Sequence, residues 1–459
     1  MPVSDDPTLP APTDPGRRDF LRAGAAAVGA GVLAELGAPS VAAAEAAGPE
    51  PFLVAPPMER VRIGFVGVGG MGMVHVENLL HIPGAEIRAV CDVVESKVAA
   101  AQERIVKAGQ AKPAGYSRGP RDFERMCAEE ELDLVYTATP WEWHVPVCVA
   151  AMKAGKHAVT EVPAAYTIDD CWRLVETAER ERKHCIMMEN CNYGRSEMLV
   201  LNMARQGMFG ELLHGEAGYL HDLRSIKFST EGEGLWRRAH AMRRNGNLYP
   251  THGLGPIAQC MDVNRGDRFD HLVSMSSNAR GLQLYAAEHF PAGDPRRNER
   301  FKLGDVNVTL IRTANGRTIY LGHNCDSPRP YSRINLLQGT KGIFSGYPDR
   351  VHIEGRSKGH SWEPVDAYYE EFEHPLWKSE EIRNETTGHG GMDFLEDRRL
   401  IECLRAGQPT DMNVYDAAAL SVVTPLTERS VASRSRTMDV PDFTRGRWKT
   451  TPPLPIVGA

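Results

Sequence analysis

At 459 residues, with 42% hydrophobic and 25% charged residues, the chain has the make-up of a globular protein too long for one core, so two domains with appendages are expected. A formal net charge of −7 argues against nucleic acid or another polyanion as a partner, and no apolar run is long enough to span a bilayer. The nine cysteines are scattered and form no CxxC pair, which argues against a disulfide framework or a zinc site; they read as small buried hydrophobes.

Residues 1–44 read as an export signal. Arg17-Arg18-Asp19-Phe20-Leu21-Arg22 precede an Ala-rich apolar stretch, and Ala42-Ala43-Ala44 offer a small-residue cleavage site. The paired arginines followed by Phe-Leu resemble a twin-arginine signal, whose pathway exports folded proteins. A periplasmic or secreted protein with its cofactor loaded before export is therefore expected. Residues 45–58, rich in Pro and Ala, read as a linker.

Residues 59–190 carry a doubly wound, Rossmann-type pattern. The β-branched run 61–66 ends in Gly67-Val68-Gly69-Gly70-Met71-Gly72, and helical periodicity follows. In that context Gly67 permits the turn, Gly69 lets backbone approach a pyrophosphate beside Met71, and Gly72 allows helix-on-strand packing. A second strand, 86–91, delivers Asp92 twenty residues past Gly72, where a carboxylate accepts from an adenosine ribose. Val93-Val94-Glu95 follow it, with no arginine for a 2′-phosphate, so NAD is expected over NADP. Strands at 132–137, 157–160 and 185–188 alternate with helices, one capped by Thr167 and Asp170. Ligands of open sheets lie beyond strand carboxyl ends. That rule selects Trp141-Glu142-Trp143-His144, Glu161-Val162 and Glu189-Asn190 as cofactor-side candidates, Asn190 among them for direct contact.

Residues 191–445 change character. Strand-like runs at 212–219, 272–277, 307–312, 318–324 and 333–338 suggest one mostly antiparallel sheet, flanked by helices at 196–206 and 254–261. An amphipathic run at 392–404 is expected to pack back near the site, and residues 446–459 form a Pro-rich tail. The fold class expected is thus α/β followed by α+β. Tyr193, Tyr219, Arg237, Tyr249, His252, Tyr331 and His389 are the polar aromatic and ionisable residues expected to face the cleft, since perturbable acids and bases gather at sites.

This organisation resembles the superfamily of sugar and inositol oxidoreductases, with two departures. Where most members carry Glu-Lys-Pro, this chain reads Glu161-Val162-Pro163. Where an Asp precedes the catalytic His by four, it reads Leu248 before His252. The departures, with Trp141-Glu142-Trp143-His144, Met188-Glu189-Asn190-Cys191-Asn192-Tyr193-Gly194-Arg195, Tyr249-Pro250-Thr251-His252-Gly253 and Gly388-His389-Gly390-Gly391-Met392-Asp393, resemble glycoside hydrolase family 109, the NAD-dependent α-N-acetylgalactosaminidases. The likeness runs from about Arg62 to near the C-terminus.

The resemblance implies a redox-neutral hydrolysis of terminal N-acetylgalactosamine. C3 of the sugar is oxidised, the C2 hydrogen becomes acidic, the C1 leaving group is eliminated, water adds and C3 is reduced again. This needs proton carriers and no metal. Tyr193, Tyr249, His252 and Glu161 are the catalytic candidates it implies. Tyr219, Arg237, Arg238, Tyr249, Pro250, Thr251, His252 and Tyr331 are the substrate-binding ones. Which group is the base for C2 and which for C3 stays open. An exported NAD-dependent sugar dehydrogenase is the main alternative, and a sugar-binding relic without turnover a third. The expected partner is a small molecule or glycan ending in N-acetylgalactosamine, and a homo-oligomer is compatible with the fold.

Overall fold

Short β-branched runs alternating with amphipathic stretches become a parallel sheet in the computed structural model, which describes residues 54–384 and 387–458. Strands β1 (Val61–Val66), β2 (Ala85–Cys91), β3 (Ala114–Tyr116), β4 (Leu134–Thr137), β5 (His157–Thr160) and β6 (Cys185–Met187) lie in the order β3-β2-β1-β4-β5-β6. Every pairing is parallel. Sequence order reverses between β1 and β4, which opens a crevice beyond their carboxyl ends. Helices on both faces leave β4 and β5 wholly buried, as expected for strands that read as continuous apolar runs. The Thr167 cap forms as expected, its hydroxyl oxygen accepting from the Asp170 N–H at 3.1 Å.

The second sheet has nine strands: β7 (Leu212–Leu220), β8 (Phe269–Ser276), β9 (Asn307–Thr313), β10 (Thr318–Asn324), β11 (Leu336–Gly339), β12 (Gly342–Ser345), β13 (Arg350–Ile353), β14 (Glu363–Pro364) and β15 (Met438–Asp439). Their order is β14-β13-β12-β11-β7-β10-β9-β8-β15, antiparallel throughout except where β10 runs parallel to β7. The run expected as a strand over 333–338 enters the sheet only at Leu336. Ile334 (φ +67°) and Asn335 (φ +50°) take left-handed backbone that a strand cannot hold. The helices Thr251–Cys260 and Val423–Ala432 pack on β7 and β8.

Both ends of the described chain dock on the body. Ala55 is buried and the Met58 N–H donates to the Arg405 carbonyl, so the end of the expected linker is fixed. The Pro-rich end is held where Arg205 donates to the Leu454 carbonyl at 3.1 Å. Residues 1–53, which include the expected export signal, lie outside the described residues. No described helix is long and apolar enough to cross a membrane. All nine cysteines are buried free thiols.

Candidate active site

The glycine turn after β1 is shaped on one side by protein and left open on the other. Gly67 sits at φ +85°, and a Cβ there would lie 2.8 Å from the Ala138 carbonyl oxygen. A Cβ on Gly72 would lie 1.9 Å from the Gly67 oxygen, so only glycine lets the helix Gly70–Leu80 close onto the turn. At Gly69 the sole neighbour is the Lys97 ammonium at 3.4 Å, and at Gly70 nothing lies within 4 Å. That helix begins without a side-chain cap, so its first N–H groups face open space beside half-buried Met71. Asp92 is clamped at the rim, accepting from the N–H groups of Val68 (3.1 Å) and Val94 (2.9 Å). Glycine turn, bare helix end and clamped carboxylate together fit a dinucleotide.

The strand ends that face this crevice diverge in what they do. Trp141, after β4, is buried with its ring 4.8 Å from Trp236 and 5.7 Å from Tyr249, inside an aromatic cluster. Trp143 turns the other way, edge-on to Phe123, and Glu142 is exposed. Both ring nitrogens of buried His144 lie 2.8 Å from carbonyl oxygens, of Thr139 and Pro163. Neither nitrogen is left for a ligand, so His144 braces two loops. The side chains of Trp143 and His144 thus face different ways, because helical geometry sends consecutive residues to different faces. Val162 is buried, and its N–H donates to Glu161 Oε2 at 3.0 Å.

Glu161, after β5, enters a buried network whose other members gave no signal in the sequence. His75 donates from Nε2 to Glu161 Oε1 (2.7 Å) and from Nδ1 to Asp397 Oδ2 (2.8 Å). Asp397 also accepts from Asn78 (2.9 Å) and from the Tyr136 hydroxyl (3.1 Å). Burial works against a charged His75, but Asp397 and Glu161 outweigh it and hold the imidazolium well above its usual range. Burial likewise works against an ionised Glu161, and the His75 hydrogen bond and charge outweigh it, lowering that carboxyl. The signs give a testable window. His75 stabilises the fold fully below its unfolded value of about 6.5 and stops doing so as pH rises through its raised folded value. Glu161 stabilises above its unfolded value of about 4.3 and stops as pH falls through its lowered one. The difference in Tm between the protein and His75→Gln, scanned against pH, should therefore peak between about 4.5 and 6.5 and shrink on the alkaline side. A pH-independent difference would mean that His75 is neutral.

The end of β6 positions the clearest acid–base group. Glu189, fully buried, accepts from His252 Nδ1 at 2.7 Å and from the Cys191 N–H at 3.2 Å, and its Oε2 has no protein partner. The local sequence explains why His252 reaches it. A Cβ on Gly253 would lie 2.3 Å from the Gly218 nitrogen, and one on Gly255 would lie 2.9 Å from Glu189 Cγ. Two glycines on one helix thus let it press against β7 and against Glu189, with His252 between them. Pro250 caps that helix, and Thr251 is fully buried at its start. With Nδ1 held on a carboxylate, Nε2 of His252 is the nitrogen left for chemistry. Glu189, Cys191 and His252 come close enough to hold a cation, but the facing carboxylate and imidazole atoms already bond each other and burial keeps the Cys191 thiol protonated.

Around His252 lies an aromatic cleft. Tyr249 stands 4.8 Å from it and Tyr219 5.5 Å, ring to ring, and Tyr219 contacts Tyr249 (4.6 Å) and Tyr331 (6.3 Å). His221, 5.0 Å from Tyr331, was not anticipated; burial and then Arg237 lower its tendency to charge. Arg237 lies 4.8 Å from the Tyr249 ring and stays cationic despite burial because the Glu233 carboxylate favours its charge. Burial pushes the phenols of Tyr249, Tyr219 and Tyr331 up, so all three are donors at neutral pH.

Four expected site residues make their side-chain contacts elsewhere. Arg238, next to Arg237 on the helix Gly234–Arg243, points about 100° away and reaches Phe228 and Glu299 instead. Tyr193 is buried under the first sheet, its hydroxyl donating to Asp411 at 3.1 Å. Asn190 gives its amide to Asp393 at 2.6 Å, tying β6 to the helix Met392–Ala406. His389, half-exposed, bonds the same Asp393 at 2.9 Å.

Residues 61–189 match the family described as "Oxidoreductase family, NAD-binding Rossmann fold", and residues 193–450 match "Glycosyl hydrolase 109, C-terminal domain". The chain is 52% identical over 442 residues to a glycosyl hydrolase family 109 protein of Solibacter usitatus, covering 95% of this chain and 99% of the relative. It is 48% identical over 457 residues to the alpha-N-acetylgalactosaminidase of Shewanella oneidensis, covering 96% and 99%. Among solved structures, a levoglucosan dehydrogenase in complex with NADH and L-sorbose superposes with a TM-score of 0.66 at 18% identity, over 84% of this chain and 100% of that one, a likeness of fold.

Proposed function

The chain belongs to glycosyl hydrolase family 109, and from that premise we propose that it is an exported NAD-dependent α-N-acetylgalactosaminidase whose sugar pocket is the aromatic cleft around His252. When bound in the glycine cradle, NAD supplies a reversible hydride acceptor that makes C3 of the sugar a ketone for part of the cycle. The chain supplies the proton chemistry. His252 Nε2, with Nδ1 fixed on Glu189, takes a proton from the sugar and returns it. Tyr249 and Tyr219, kept protonated by burial, donate to sugar oxygens and polarise the C3 carbonyl. Loss of the C2 proton then expels the C1 substituent; water adds at C1, C2 regains a proton and C3 its hydride. Atoms and electrons balance as a hydrolysis, with no net oxidant.

Glu161 has a different part. Ionised and anchored by His75, it is a poor proton donor, and we assign it to the cofactor end of the crevice as a fixed anion. His75 and Asp397 are its positioning residues. The observation that carries the whole reading is the buried Glu189–His252 pair opening on a tyrosine-lined cleft beside a complete dinucleotide cradle.

Export follows from Arg17-Arg18 and the apolar segment after them. Outside the cytoplasm no pool of NAD is at hand, so the cofactor is loaded before export and kept. Denaturing the purified mature protein should release about one dinucleotide per chain, NAD and not NADP, since Asp92 is where a 2′-phosphate would sit. Release of NADP alone, or an empty protein that cannot take up NAD, would overturn this part of the proposal.

A further inference from the structure

The helix Gly234–Arg243, which carries Arg237 into the aromatic cleft, runs out at a second concavity. This open surface hollow has a volume of about 620 Å³, and Tyr166, Arg243, Arg244, Lys302, Glu428 and Arg429 give it its polar wall. It stands back to back with the sugar pocket: Tyr166 meets His240 at 5.5 Å, and His240 meets Trp141 at 4.9 Å.

Its charges do not balance. Glu428 is the one carboxylate in the lining, and it is spent on Arg244, which grips it with Nε and Nη2 at 2.7 Å each. Arg244 is further fixed by a bond from Nη2 to the Tyr166 carbonyl (3.1 Å) and by lying 4.7 Å over the Tyr166 ring. Its remaining terminal nitrogen, Nη1, is buried with no partner. Among the described residues, Arg243, Lys302 and Arg429 have no carboxylate within ion-pair distance, although all three line the same hollow. Like charges that line one concave surface repel, and an anion bound among them relieves that repulsion. Arginine supplies the planar donors that suit sulfate and carboxylate. The volume exceeds what a simple inorganic anion fills and falls in the range of about 300–1,000 Å³ that holds small organic ligands. Ile168, Pro425, Val431 and Ala432 line the rest, an apolar wall suited to the C–H face of a sugar ring.

We propose that this hollow is a second ligand site, which takes a saccharide unit bearing a sulfate or carboxylate group. The anion requirement stands on the charges; the choice of a saccharide rests on the glycosidase reading. The test uses the full mature protein with its bound cofactor, in calorimetric titrations at constant ionic strength with galactose 6-sulfate, galacturonic acid, galactose and inorganic sulfate. Saturable binding of one or both acidic sugars is expected, at least tenfold weaker in Arg243→Ala/Lys302→Ala and in Arg429→Ala. Both variants change exposed side chains outside the sugar pocket, so cleavage of a neutral aryl α-N-acetylgalactosaminide should stay within twofold. Equal affinity for the acidic sugars in protein and variants, or no saturable binding, overturns the site. Inorganic sulfate or neutral galactose binding as tightly as the acidic sugars overturns the ligand assignment. Absence of glycosidase activity in an otherwise binding-competent protein would fail the function proposal and leave the anion site standing.

Discussion

His252→Ala is expected to lower kcat/KM on an aryl α-N-acetylgalactosaminide by a factor of about 10² or more, the usual scale of general acid–base catalysis. Dinucleotide released on denaturation should stay unchanged, because His252 lies on the helix packed on β7 and touches Glu189, Tyr219 and Tyr249, none of them part of the glycine turn. Glu189→Gln separates orientation from chemistry. The amide keeps the size of the carboxylate but not its charge, so the hold on His252 Nδ1 weakens and turnover should fall steeply while KM changes little. A structural role alone would lower stability without that split between kcat and KM. Near-normal turnover in a folded His252→Ala protein would return His252 to the packing of the cleft.

The cofactor half was legible because its constraints are local. A tight turn needs Gly67, close approach needs Gly69, helix packing needs Gly72, and the carboxylate closes the motif at Asp92; each is met within a few residues of the next. The sugar side was legible in part. Tyr219, Arg237, Tyr249, His252 and Tyr331 do converge, but sequence spacing could not say how. Arg238 failed because neighbours on a helix diverge. Tyr193 failed because a short 3-10 turn after β6 carries it under the sheet. His75, with its partner Asp397 more than three hundred residues away, was invisible for a different reason. A histidine inside an apolar helix looks like packing until a distant carboxylate is folded against it. Glu189 did carry a signal, as an acid at a strand's carboxyl end, and only the two glycines of the His252 helix reveal what it is for.

β9 shows a limit of periodicity. Its alternation is real, but Asn307 and Thr309 face inward while Val308 and Leu310 face out, the reverse of what hydropathy suggests. The inward polar groups are satisfied by one another and by β8: Ser274 and Thr309 hydroxyls lie 2.9 Å apart, and Asn307 donates to Ser274 and Ser276, each at 2.9 Å. Period two fixes that a strand has two faces; the hydrogen-bond partners decide which is inside.

Hydrolysis in deuterated water should place deuterium at C2 of the released sugar in essentially every turnover, with no net rise in NADH absorbance. The reasoning starts from the groups present. Around the cleft stand an oriented imidazole and phenols held protonated, and among the described residues no free carboxylate pair flanks it: Glu189 is committed to His252 and Glu161 to His75. A direct displacement at C1 requires two free carboxyl groups a fixed distance apart and never breaks the C2–H bond, so it leaves C2 unlabelled. A dehydrogenase would accumulate NADH and leave the glycosidic bond whole. Oxidation at C3 followed by elimination must release the C2 proton to His252 or another group in the cleft, and that proton exchanges with solvent before water adds and C2 is protonated again. Cleavage with C2 wholly unlabelled for every aglycone would make the bound nucleotide structural, and Glu161 would then be the first candidate for a nucleophile.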